Sequence, residues 1–128
     1  MKKLLSFLTA ALVTTVVIAG EFADISISEV KALTETKKAV FIDVNGSESY
    51  AKGRIPGALD YAAIKSSLAD SLPKEKDALI VAYCGGPTCN AYSKAAKEAQ
   101  KLGYTNVKHL SAGISGWKEA GQKVEKSS

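Results

Sequence analysis

The stretch "LIVAYCGGPTCNAYSKAAKEAQKLGY", Leu79–Tyr104, decides how the rest of the chain reads. Leu79–Tyr83 is an apolar run with the composition of a buried strand, and Cys84 follows it at once. Gly85, Gly86 and Pro87 then break the pattern. From Asn90 to Leu102 the residues Ala91, Ala95, Ala99 and Leu102 recur at helical spacing, Lys94, Lys97 and Lys101 cover the other side, and Gly103 ends the segment. Strand, cysteine, glycine turn and helix in that order predict a thiol at a helix N-terminus, ringed by backbone N–H groups. Such a setting favours negative charge and lowers a thiol pKa. The two glycines allow positive φ and close backbone approach, while Pro87 stiffens the turn. The backbone of Gly85, Gly86, Thr88, Cys89 and Asn90 therefore reads as a cradle for a Cys84 thiolate and for a further anion carried on it.

Outward from this segment, short strands alternate with helices. A strand near Ile25 precedes a helix whose start, Ser26 and Glu29, has capping-box spacing. "VFIDV", Val40 to Val44, is a second strand, followed by a turn at Asn45–Gly46 and a short helix from Ser47 to Gly53. A turn at Pro56–Gly57 leads to a short strand at 58–60, then a weak helix and a charged loop reach Leu79. "NVKHL" is the last strand and "ISGWKEAG" the last helix, in which Trp117 is expected to pack on the sheet. His109, the single histidine, reads as structural or exposed. The tail "QKVEKSS" reads as loose. Alternation of this kind implies an α/β fold with a parallel sheet covered on both faces. Ligands in such folds sit at the carboxyl ends of the strands, where Cys84 lies.

Composition bounds the rest. A chain of 128 residues, 46% hydrophobic and 23% charged, suits one globular domain. The segment "MKKLLSFLTAALVTTVVIAG" has a basic start, an uncharged apolar run and a small-residue end, the pattern of an export signal cleaved after Ala19. A retained N-terminal membrane anchor is the alternative, since the run sits at the short edge of a membrane span. Without Lys2 and Lys3, 15 basic residues stand against 13 acidic, a net charge of +2, too little to argue for nucleic acid. The expected organisation is a signal peptide over 1–19, one domain over 24–124 and a tail over 125–128. The mature protein is expected in the periplasm, as a monomer without stable membrane association.

"FIDVNGSESYAKGRIPGALDY", the Cys84 segment and "VKHLSAGISGWKEAG" follow, in order, the signatures of single-domain rhodaneses. The chain resembles that family from Ile25 to Val124, through Asp43–Val44, Ile55–Ala58, the loop cysteine and Leu110, Gly113 and Trp117. The resemblance implies a central parallel five-stranded sheet flanked by helices. It also implies a sulfurtransferase, in which Cys84 takes a sulfane sulfur from thiosulfate, a thiosulfonate or a persulfide. Cys84 then holds that sulfur as a persulfide and passes it to a thiol or cyanide. No cofactor is called for. Where the family usually has arginine two residues after the aspartate, this chain has Asn45; Arg54, just before Ile55, is the candidate ion-pair partner for Asp43. The loop "CGGPTCN" contains no arginine or lysine to meet the two charges of thiosulfate.

Other readings stay open beside this one. Cys89 is read as packing at the helix start, with a redox partner of Cys84 as the alternative; a thiol redox or oxyanion-reducing enzyme would use both. A phosphatase-type loop normally closes with arginine, and the sixth residue after Cys84 is Asn90. A non-enzymatic binding module of the same fold would not need Cys84. Two cysteines and one distant histidine make no metal site. Asp43 is expected to serve as a structural hydrogen-bonding group, and Glu98 to pair with Lys94 or Lys101.

Overall fold

The computed structural model describes residues 22–127; the export-signal or anchor segment lies outside them. Five parallel strands form one sheet in the order β1-β5-β4-β2-β3. Along the chain, β1 (Ala23–Asp24) leads to α1 (Ile27–Thr36), β2 (Ala39–Asp43), α2 (Ser47–Lys52) and β3 (Leu59–Asp60). There follow α3 (Tyr61–Ile64), a 3-10 turn (Lys65–Ser67), α4 (Leu68–Ser71), β4 (Leu79–Tyr83), α5 (Tyr92–Lys101), β5 (Val107–His109) and α6 (Gly113–Glu119). The strand order puts β4 at the centre of the sheet, which explains its unbroken apolar run: Ile80, Val81, Ala82 and Tyr83 are all fully buried.

The two-residue alternation along the strands divides the core into two layers. Ile42, Ile80, Ala82 and Cys84 pack with Leu68, Leu72, Tyr92, Ala95, Ala96 and Ala99 on the α3–α5 side. Phe41, Val81 and Tyr83 pack with Ile25, Val30, Ile55, Leu110 and Trp117 on the α1 and α6 side. Trp117 fills that second layer as expected, with its indole N–H on the Lys123 carbonyl at 2.9 Å. Burying each large apolar side chain in these layers contributes about 1.5–3 kcal/mol, so the two faces together hold the sheet in place.

Local expectations hold with adjustments. Ser26 caps α1 by accepting the Glu29 N–H at 3.1 Å, but the Glu29 carboxylate meets the Ser26 hydroxyl rather than completing a capping box. Helix α5 starts two residues later than its apolar pattern suggests, so Tyr92 takes the inward place assigned to Ala91. Glu98 does not pair with Lys94 or Lys101; it accepts the Tyr61 hydroxyl at 2.8 Å. The tail is not loose. Glu125 and Arg54 exchange two backbone hydrogen bonds, and the Ser127 N–H donates to the Ala51 carbonyl at 2.9 Å.

Candidate active site

Strand β4 delivers Cys84 to the carboxyl end of the central strand, where its side chain is 1% exposed. The backbone just beyond is fixed by the start of α6. The Ile114 N–H donates to the Cys84 carbonyl at 3.0 Å, and the Ser115 N–H to the Gly85 carbonyl at 2.9 Å. This close docking depends on Gly113, at φ +64°. A Cβ there would lie 2.6 Å from backbone atoms of Gly85 and Gly86 and 2.7 Å from the Cys84 oxygen. The demand for glycine therefore falls on Gly113. Gly85 and Gly86 do not take positive φ, and a Cβ on Gly86 would meet nothing within 4 Å.

The loop then turns, with the Cys89 N–H on the Gly86 carbonyl at 3.1 Å, and Cys84 and Cys89 are joined as a disulfide. Their Cα atoms are 6.1 Å apart, within the span that disulfides ordinarily bridge. The expectation that Cys89 serves only as packing is corrected: it packs at the edge of the α5-side core and is also the bonded partner of Cys84. Of the five backbone donors expected in the cradle, that of Cys89 is engaged in the turn. Among the described residues, the N–H groups of Gly85, Gly86, Thr88 and Asn90 have no protein acceptor. The loop that follows β4 thus retains unengaged N–H donors.

Asp43 closes the neighbouring strand, in register with Tyr83. It is fully buried, and Arg54 is not its partner. The Arg54 guanidinium turns away to the Glu125 carboxylate at 3.0 Å, the Tyr50 carbonyl and the Ser127 hydroxyl, and lies over the Tyr50 ring. The Tyr83 hydroxyl takes the expected place of arginine. It donates to Asp43 Oδ2 at 2.8 Å and accepts the Ile55 N–H at 3.1 Å, while Asp43 Oδ1 accepts the Asn45 N–H at 2.8 Å. Burial pushes the Asp43 carboxyl up, opposed by the hydrogen bonds from Asn45 and Tyr83. Burial and the adjacent carboxylate raise the Tyr83 phenol, which stays a neutral donor. The amide Nδ2 of Asn45 is buried without a hydrogen-bond partner, and the Asn45 side chain adds to the groups that favour the charged Asp43 carboxylate.

Two lysines lie beside the loop, Lys118 and Lys52, of which Lys52 pairs with Glu48 at 3.2 Å. A cleft of about 250 Å³ borders Gly85 and is lined by Asn45, Ser49, Lys52, Ile114 and Lys118. Lys52 and Lys118 come from α2 and α6, too far apart in the chain for local spacing to signal them. A larger cleft of about 440 Å³ lies over Leu33, Phe41 and Pro56 and contains neither cysteine. Among the described residues no group of three His, Cys, Asp or Glu side chains is placed to hold a metal ion.

The chain thus falls in the class of parallel α/β domains that carry a cysteine at the carboxyl end of the central strand, followed by a loop with unengaged N–H groups. Within that class the family is resolved: the chain belongs to the rhodanese-like domain family, whose model matches residues 26–120. It is 36% identical over 93 residues to a tRNA uridine(34) hydroxylase of Erwinia tasmaniensis, covering 68% of this chain and 26% of that protein. It is 36% identical over 92 residues to the HTH-type transcriptional regulator Rv0324 of Mycobacterium tuberculosis, covering 71% of this chain and 39% of that protein. The chain thus spans well under half the length of these curated relatives. The structure of the BH2092 protein of Bacillus halodurans superposes with a TM-score of 0.64 at 26% identity, over 81% of this chain and 77% of that one.

Proposed function

We propose that the protein is a sulfurtransferase that carries a sulfane sulfur as a persulfide on Cys84. The observation that carries this reading is the position of Cys84, between the central strand and a loop whose Gly85, Gly86, Thr88 and Asn90 N–H groups have no protein acceptor. Reduction of the Cys84–Cys89 bond comes first, because the thiolate is the nucleophile. The thiolate attacks the outer sulfur of thiosulfate, a thiosulfonate or a small persulfide; the S–S bond of the donor breaks and its inner group departs with the bonding pair. The unengaged loop N–H groups offset the charge then borne by the outer sulfur. A thiol or cyanide takes that sulfur in the second half. Lys52 and Lys118, on the cleft beside Gly85, draw an anionic donor towards the loop. The N-terminal segment exports the domain to the periplasm, where it acts as a monomer; among the described residues no helix is long and apolar enough to cross a membrane.

The test is intact mass after the reduced protein meets thiosulfate, a thiosulfonate or a small persulfide. Wild type gains one sulfur atom; Cys84→Ser, with its fold intact, gains none and transfers none to cyanide. Wild-type turnover in Cys84→Ser sinks the mechanism.

A further inference from the structure

Sulfur transfer by Cys84 alone leaves the second cysteine no chemical task beyond packing, yet the turn from Gly86 to Cys89 brings that residue into bonding contact with the first. We propose that Cys89 is the resolving thiol of the Cys84 persulfide, so that the sulfur taken from the donor leaves as hydrosulfide and the protein is left in the disulfide form described above. This rests on the sulfurtransferase reading of Cys84. The Cys89 sulfur attacks the inner sulfur of the persulfide, Sγ of Cys84. A bond forms between the two Sγ atoms, the bond from Cys84 Sγ to the outer sulfur breaks, and the outer sulfur departs with the electron pair and with the proton of the Cys89 thiol. The Cys84–Cys89 disulfide and one hydrosulfide result. The sulfane sulfur has been reduced by two electrons and the pair of thiols oxidised by two.

The cycle closes with an external dithiol, whose approach is directed by burial. Cys84 is 1% exposed, whereas Cys89 is only partly buried and sits next to exposed Thr88 and Asn90. An incoming thiolate therefore meets Cys89 Sγ, forms a mixed disulfide there and expels Cys84 as thiolate at the end of β4. The second thiol of the dithiol attacks its own sulfur in the mixed disulfide and releases Cys89. The dithiol leaves oxidised, and both protein thiols are regenerated. In the closed form Cys84 has no free thiolate, so a donor is accepted only after this reduction. The partner fitted to the surface is a protein or small-molecule dithiol, and with it the net product is sulfide; a thiol or cyanide that reaches the persulfide before Cys89 takes the sulfur instead.

A single-turnover experiment tests the scheme. The full chain is reduced, freed of reductant and given thiosulfate or an arenethiosulfonate anion without added thiol, and released sulfide and intact mass are followed together. Wild type is expected to release one equivalent of sulfide and to end two hydrogens lighter than its reduced form. Cys89→Ser is expected to stop one sulfur heavier and to release sulfide only when a thiol is added; Cys89→Ala repeats the measurement should serine disturb the turn. If wild type keeps the added sulfur as both variants do, with no sulfide released, the resolving role is wrong and sulfur transfer by Cys84 stands. If neither wild type nor variants take up sulfur while remaining folded, the sulfurtransferase reading fails, and this proposal with it.

Discussion

At the scale of single residues, the site depends on two positions whose roles are set by neighbours distant in the chain. Tyr83 satisfies a buried carboxylate and a buried N–H with one hydroxyl. Tyr83→Phe keeps the ring but strips Asp43 Oδ2 and the Ile55 N–H of their partner, while Oδ1 keeps the Asn45 N–H, so a loss of roughly 2–4 kcal/mol is expected in denaturant unfolding. A loss below half a kcal/mol, on the order of an ordinary surface change, means the hydroxyl does not brace Asp43. Gly113 and Gly86 make a matched pair. Gly113→Ala combines positive φ with a Cβ 2.6 Å from loop backbone, and should cost about 2 kcal/mol or more while displacing the cysteine loop. Gly86→Ala has space and an ordinary φ, and should stabilise the oxidised form by about 0.5 kcal/mol. Equal behaviour of the two variants would refute the assignment of the close approach to Gly113. None of this was visible locally. The Asp43–Tyr83 contact needs the parallel register of β2 on β4, and the crowding at Gly113 needs α6 docked on the loop.

At the scale of elements, β4, the loop and α5 were legible because their signals are local: an apolar run, a glycine break and a helical period. The boundary of α5 was not, since Ala91 fits the period as well as Tyr92 does, and only packing decides between them. Tyr92 wins because its ring stacks on His109 at the end of β5, centroids 3.4 Å apart, with Phe22 edge-on to Tyr92 at 6.1 Å. The bond between Cys84 and Cys89 was legible only as an option, because a separation of five matches no redox motif and a turn is needed to close it. The stack carries a pH signature. Burial lowers the His109 pKa, against a smaller opposing pull from Asp24, and Nε2 has no hydrogen-bond partner. The unfolded chain therefore binds the imidazole proton first as pH falls. The stability contributed by the neutral ring is full above the ordinary value of 6.5 and is lost as pH falls through the folded value. His109→Phe keeps a stacking ring and removes the proton. Unfolding midpoints measured across weakly acidic pH should slope for wild type and flatten for the variant; parallel slopes would show that His109 does not titrate in this way.

At the scale of the whole molecule, the chain end is fastened to the middle of the domain. Arg54 is 9% exposed and is held by Glu125, by the Ser127 hydroxyl and by the Tyr50 carbonyl and ring. A polar, lysine-rich tail gives no local sign of such docking, and the partners are separated by 71 and 73 positions. Arg54 sits in the stretch that carries the family resemblance, where Asp43 is the acidic partner nearer in sequence and Glu125 lies far along the chain. Ending the chain after Val124 removes the backbone exchange with Arg54 and leaves its guanidinium short of partners. A loss of about 1–3 kcal/mol is expected in urea unfolding, with sulfur uptake by Cys84 unchanged. Unchanged stability would mean that the tail rests on the domain without supporting it.

The disulfide spans only five positions along the chain. By loop-closure arithmetic so small a ring restrains the unfolded chain by about 2 kcal/mol, less than half of what a bridge across the whole domain would give. Cys84 sits in one layer of the core and Cys89 at its edge, and the bond closes a single turn between them. Oxidised and reduced chains should therefore share one silhouette. Gel filtration and small-angle scattering would record a single species where thiol titration counts two, and a preparation left in air would pass every test of shape while containing no free nucleophile.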